Sequence, residues 1–185
     1  MRFASMRNLD ISNGEGVGVS LFVQGCDRHC FNCFNPDTWD FNGGKEWTEE
    51  TKNKFIKLID RPYINRISVL GGEPLAEQNL DEVLSLIKEI RISFPKKTIW
   101  LYTGFEWNSL IAKICQPTFP DEKFEHDRNI HMKRQKIISN VDILVDGEYI
   151  DEQRDLSLKF RGSKNQRVID VKQSLTQNKI ILYCN

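Results

Sequence analysis

The stretch Val17-Gly18-Val19-Ser20-Leu21-Phe22-Val23-Gln24-Gly25-Cys26 decides how the chain is read. Residues 17–24 are mostly β-branched, aromatic or small, which predicts a strand, and Gly25-Cys26 turns it into a loop. The pattern recurs downstream. Residues 66–70 (RISVL) predict a second strand stopping at Gly71-Gly72, residues 98–102 (TIWLY) a third running into Thr103-Gly104, and residues 141–145 (VDILV) a fourth ending in Asp146-Gly147. Residues 179–183 suit a late edge strand.

Helical periodicity fills the gaps between these strands. Over 48–60, Thr48 is a candidate N-cap, Glu49 and Glu50 occupy the first turn, and Phe55, Ile56, Leu58 and Ile59 form an inward stripe ahead of Pro62. From Asn79, read as a cap with Glu82 three residues on, Leu80, Val83, Leu84, Ile87 and Ile90 repeat at helical spacing until Pro95. Residues 106–115 read as another helix, with Leu110, Ile111 and Ile114 inside and Cys115 a small buried hydrophobe on the same stripe. Strands alternating with helices describe βαβ units, an α/β fold and a parallel sheet. A closed eight-unit barrel takes ~250 residues, and 185 residues leave roughly 23 per unit. The expected architecture is therefore a partial, open β/α barrel of parallel strands in a single domain over 1–185. The polar stretch 116–136 is expected to be a surface insertion. In a parallel sheet all four glycine-bearing strand ends fall on one edge, where ligands bind and a missing β-carbon lets them approach the backbone.

Composition narrows the function. With 26 basic and 26 acidic residues the formal charge is zero, so no global positive field attracts nucleic acid. The longest apolar run, 180–184, is far short of the ~20 residues of a spanning helix. Residues 1–18 lack the apolar core of a secretory signal, so the expected compartment is the reducing cytoplasm, without membrane association. In that setting five cysteines do not suggest a disulfide framework, and three of them fall within 26–33. The spacing Cys26-x3-Cys30-x2-Cys33 suits three corners of a four-iron cluster, because soft thiolates favour iron–sulfur chemistry and no fourth cysteine lies nearby. Structural zinc, with His29, Cys115 or Cys184 as fourth ligand, is the alternative.

Gly71-Gly72-Glu73-Pro74 directly after the second strand, taken with the cysteine motif after the first, resembles the radical S-adenosylmethionine superfamily. The segments GEGVGVSLFVQGC, CFNPDTW, GGEPL, IWLYTGF, VDILVDG and FRGSKNQR resemble the activating proteins of anaerobic ribonucleotide reductase, a group of glycyl-radical-enzyme activases, across nearly all of 1–170. The resemblance implies that Cys26, Cys30 and Cys33 ligate a [4Fe-4S] cluster whose open iron takes S-adenosylmethionine. One electron would then release a 5′-deoxyadenosyl radical, which removes a hydrogen from a glycine of the large reductase subunit. The cluster and S-adenosylmethionine would carry the chemistry, with no catalytic side chain and with a flavodoxin or ferredoxin as electron donor.

The resemblance further implies that Gly71, Gly72 and Glu73 offer backbone carbonyls to the ligand's ammonium, and that Asn32, Cys33 and Phe34 border the adenine. The superfamily commonly has an aromatic residue before the third cysteine, where this chain has Asn32. Thr103 and Asp146 are expected either to touch the ligand or to cap local turns. Arg161, Ser163, Asn165, Gln166 and Arg167 are expected either to dock the partner or close the site, or to form a solvated loop. His29, His126 and His131 read as surface or supporting residues, Cys184 as a free thiol, and Trp39, Trp47, Trp100 and Trp107 as packing residues. Competing functions are activation of another glycyl-radical enzyme, a small deazapurine synthase, or a zinc-stabilised binding module.

Overall fold

The computed structural model describes residues 1–114 and 118–184; the expected placement of Cys115 lies outside them. Its eight strands are β1 (Arg2–Asp10), β2 (Gly18–Val23), β3 (Lys45–Glu46), β4 (Arg66–Gly71), β5 (Thr98–Tyr102), β6 (Ile143–Asp146), β7 (Arg167–Asp170) and β8 (Leu182–Cys184). They form one sheet in the order β3-β1-β2-β4-β5-β6-β7-β8, with β3 and β8 as unjoined edges, so the sheet is open. The four central strands β2, β4, β5 and β6 are parallel, with Ser20 opposite Ser68, Ser68 opposite Trp100 and Trp100 opposite Ile143. The flanking pairs are antiparallel, which corrects the expectation of parallel strands throughout. Parallel pairing needs a long crossover, whereas the short segment between β1 and β2 permits a direct antiparallel return.

The crossovers are helical. Helix α1 (Glu49–Ile59) lies between β2 and β4, α2 (Leu80–Ser93) between β4 and β5, and α3 (Trp107–Ile111) and α4 (Glu122–Ile138) between β5 and β6; α5 (Val171–Gln177) follows β7. Thr48 caps α1, its hydroxyl accepting the Thr51 N–H at 3.2 Å. Asn79 sits at the start of α2 without capping it; its side-chain amide instead donates to the carbonyls of Gln24 and Glu73, both at 3.0 Å. The stretch expected as a surface insertion contributes most of α4, whose Ile137 and Ile138 are buried in the core. Helix α3 ends at Ile111, earlier than its periodicity predicts.

Strand alternation divides the core between two faces. Val19, Leu21, Ile67, Val69, Ile99 and Leu101 point to the helix side and pack with Phe55, Val83, Ile87 and Ile90. On the other face Trp100, Ile143, Val145 and Val168 cluster with Tyr102 and Phe160. The same face carries Arg66, completely buried, which donates to the Asp10 carbonyl at 2.6 Å and pairs with the Asp10 carboxylate at 3.2 Å. A buried guanidinium is tolerable only with partners of this kind, and here it fixes the end of β1 to the start of β4. Trp100 and Trp107 are buried as expected, and Trp47 packs on Phe3 and Phe55.

Candidate functional site

The glycine turns after β2, β4, β5 and β6 open on one cavity of about 610 Å³, whose apolar floor includes Phe22, Leu70, Tyr102 and Val145. Cys26, Cys30 and Cys33 all line it, together with Gly71, Gly72 and Gly104. The cysteine loop is held by backbone bonds: Gly25 N–H donates to the Thr38 carbonyl at 2.8 Å, Cys26 N–H to Trp39 at 3.0 Å, and Glu73 N–H to Gly25 at 2.8 Å. Within it, Cys33 N–H donates to the Cys30 carbonyl at 3.1 Å, closing a turn that places Asn32 at φ +52°. Asparagine tolerates this left-handed conformation with little strain. The Asn32 side chain donates to Asp151 at 2.9 Å and does not line the cavity, whereas Phe34 does, its ring tilted against that of Tyr149 with centroids 5.0 Å apart.

Burial pushes the Cys26 thiol up, and burial together with the nearby Glu148 carboxylate pushes Cys30 up to about 11. The Cys30 thiol donates to Glu148 Oε1 at 3.5 Å. Uncomplexed, these sulfurs hold protons at neutral pH, and a soft metal would displace them. Among the described residues no three His, Cys, Asp or Glu side chains already converge in metal-binding geometry. The donor set still fits an iron–sulfur cluster: three soft ligands on one loop face one cavity. Of the fourth ligands considered for zinc, His29 is stacked on Trp39 at 4.7 Å, Cys184 packs beside Trp100 and Val168, and Cys115 lies outside the described residues.

The glycine turn is built around Glu73, which is 1% exposed. Its Oε1 accepts the Leu75 N–H at 2.9 Å and the Thr103 hydroxyl at 2.7 Å; its Oε2 accepts the Gly104 N–H at 2.8 Å and Arg28 Nε at 3.3 Å. Burial raises the Glu73 carboxyl above the ordinary range against the pull of these four donors. The Glu73 carbonyl is also engaged, by Asn79 and by the Ala76 N–H. The Gly72 carbonyl accepts no hydrogen bond among the described residues, while its N–H donates to Val23 at 2.9 Å. A β-carbon on Gly72 would stand 2.5 Å from the Gly25 carbonyl oxygen, so the two loops meet as closely as they do only because residue 72 is glycine.

Other expected residues sort by their contacts. Thr103 is committed to Glu73 and to the Phe105 N–H at 3.1 Å. Asp146 accepts the Trp107 N–H at 2.7 Å and pairs with Arg167, which matches a turn-capping role. Gln166 accepts from Gly162 and Ser163 and donates to Gly147, and Asn165 donates to the Glu148 carbonyl, so this cluster folds back on the turn after β6. His126 pairs with Glu77 at 3.0 Å, and His131 contacts the Ala112 carbonyl at 2.8 Å. Sequence reasoning missed Arg28, Glu148 and Tyr149. The one available signal was a cation at position 28 inside a thiolate-rich loop.

With this geometry in hand, comparison with known proteins is informative. A family model described as a 4Fe-4S single cluster domain matches residues 12–169. The chain is 34% identical over 170 residues to the anaerobic ribonucleoside-triphosphate reductase-activating protein of Salmonella typhi, covering 91% of this chain and 97% of that protein. The proteins of the same name from Escherichia coli K12 and Enterobacteria phage T4 are 33% and 32% identical over 170 residues, each covering 91% of this chain and respectively 97% and 93% of the relative. No helix among the described residues is long and apolar enough to cross a membrane. Three thiols on one loop, a glycine turn lining the same cavity and this near full-length similarity lead to one conclusion: the chain belongs to the family of anaerobic ribonucleoside-triphosphate reductase-activating proteins.

Proposed function

We propose that this protein activates an anaerobic ribonucleoside-triphosphate reductase by radical S-adenosylmethionine chemistry, and that its open sheet is the partial β/α barrel of that superfamily. Cys26, Cys30 and Cys33 hold a [4Fe-4S] cluster by three thiolates. When bound, that cluster supplies the electron that cleaves S-adenosylmethionine to methionine and a 5′-deoxyadenosyl radical, which takes a hydrogen atom from a glycine of the reductase. The protein's own contribution is placement and exclusion of water. Cys33 and Phe34 border the adenine, with the backbone at Asn32 completing that edge. The Gly72 carbonyl accepts from the substrate ammonium, in a turn that Gly71 allows through its φ of +110° and that Glu73 fixes from beneath. No side chain need act as general acid or base. The protein works as one domain in the cytoplasm, with a flavodoxin or ferredoxin supplying the electron.

The observation that carries this reading is that all three cysteines and Gly72, whose carbonyl accepts no hydrogen bond among the described residues, line one cavity. The open cavity suits a protein segment as substrate better than a closed small-molecule pocket would. The test is anaerobic reconstitution with iron and sulfide. A brown protein with four irons per chain, whose reduced signal in electron paramagnetic resonance changes when S-adenosylmethionine is added, supports the proposal. A colourless protein holding one tight zinc overturns it.

A further inference from the structure

Arg28 lies between two of the three cysteines, yet its side chain is turned inward and only 21% exposed. Its Nε donates to Glu73 Oε2 at 3.3 Å, and its terminal nitrogen stands 3.9 Å from Glu148 Oε2. Glu148 in turn accepts from the Cys30 thiol through its other oxygen. The guanidinium carbon sits 4.2 Å from the centre of the Phe105 ring, and Arg134 of α4 sits 4.1 Å from the same centre while donating to the Leu75 carbonyl at 3.0 Å. Gly104 makes room for this arrangement, since a β-carbon there would collide with Arg28 Cδ. One side chain therefore joins the cysteine loop, the Glu73 turn, the turn after β5 and the segment after β6.

Electrostatics gives that position a consequence. Two carboxylates stand near the cysteines, Glu73 on the cavity wall and Glu148 against the Cys30 thiol, and Arg28 contacts both. Reduction adds an electron to a site already rich in negative charge, and the potential of an iron–sulfur cluster depends on the net charge around it. A nearby cation favours the reduced state and a nearby carboxylate opposes it. We propose that Arg28 is a positioning residue that locks the cysteine loop onto the Glu73 turn and, by offsetting Glu73 and Glu148, raises the reduction potential of the cluster. The proposal rests on the cluster assignment made above.

The test is a redox titration of the reconstituted protein with dithionite, followed by electron paramagnetic resonance, on wild type, Arg28→Gln, Arg28→Lys and Glu148→Gln. At a fixed potential, Arg28→Gln should lower the ratio of reduced to oxidised cluster about tenfold, the scale of one unit charge at short range in a partly buried site, or about 59 mV for one electron. Arg28→Lys keeps the charge and should stay near wild type in potential. Glu148→Gln should move the ratio the opposite way, and it tests the charge argument even if Arg28→Gln loads poorly. Equal potentials in all four proteins, or a shift of the same sign in Arg28→Gln and Glu148→Gln, overturn the role of Arg28. A wild-type protein that takes up no cluster overturns the parent assignment instead.

Discussion

Replacing Glu73 with glutamine changes one oxygen to an amide nitrogen in a fully buried carboxylate with four donors, and the outcome follows from which oxygen is lost. If the amide nitrogen takes the place of Oε2, it faces the Gly104 N–H and Arg28 Nε, both obligatory donors, and neither is satisfied. If it takes the place of Oε1, it faces the Leu75 N–H and the Thr103 hydroxyl, and the hydroxyl can rotate to accept. The second orientation is better and still strands one buried N–H, at about 1–3 kcal/mol. It also reduces two bonds to an ionised acceptor to bonds to a neutral one, each weaker by about 1 kcal/mol. The sum is about 3–5 kcal/mol, on the order of 10 °C in Tm for a domain of this size. Denaturant and thermal unfolding of anaerobically purified apo-protein measure it. A Glu73→Gln protein within about 0.5 kcal/mol of wild type would refute the argument that this carboxylate holds the turn.

Three further outcomes are expected. Gly72→Ala drives a β-carbon toward the Gly25 carbonyl and should destabilise the protein by about 2 kcal/mol or more; an unchanged unfolding midpoint contradicts the close loop contact. Cys30→Ala should bring bound iron down to background after reconstitution while Cys184→Ala leaves it at the wild-type level, as read by iron and sulfide analysis; equal loss in both disproves the assignment of ligands to residues 26–33. For Asp10, burial works to raise the carboxyl, but the N–H donors of Asn13 and Ser12 and the Asn13 side chain hold it well below the usual carboxylate range. A depressed folded pKa means that its stabilisation is present above about pH 4, the ordinary unfolded value, and is lost as the pH falls below it. Asp10→Asn should therefore be less stable than wild type by about 3 kcal/mol at neutral pH, and the gap should narrow on acidification; a gap that widens in acid refutes the sign.

The parts of the fold legible in the sequence are those where composition and burial agree. Residues 17–24, 66–70, 98–102 and 141–145 are nearly continuous apolar runs because parallel strands at the centre of a sheet are covered on both faces, and their glycine ends announced the ligand edge. Strand β1 escaped notice because RFASMRNLD buries only Phe3 and Asp10 fully and leaves much of the strand exposed or half-exposed. Helix α4 was obscured by its charge; Ile130, Ile137 and Ile138 supply its core contacts, too few for a clear stripe over seventeen residues. Strand β7, four residues long, lay in a stretch that reads as polar. The cysteine and glycine motifs marked the site, but the partners of Arg28 could not be read locally, because Glu73 is 45 positions away and the contact exists only once β4 and the loop after β2 are side by side. Asn79 shows the converse, a residue in a capping position whose tertiary partners claimed its side chain.

The central claim is that three sulfurs and a glycine turn serve to place a radical on a partner protein. It is tested most directly by mixing the reconstituted protein anaerobically with a reductant, S-adenosylmethionine and the reductase of the same organism. A glycine-centred doublet in electron paramagnetic resonance is expected on the reductase, with 5′-deoxyadenosine formed in step and both lost in the Cys30→Ala protein. S-adenosylmethionine left intact, or consumed without any doublet on the reductase, would contradict it.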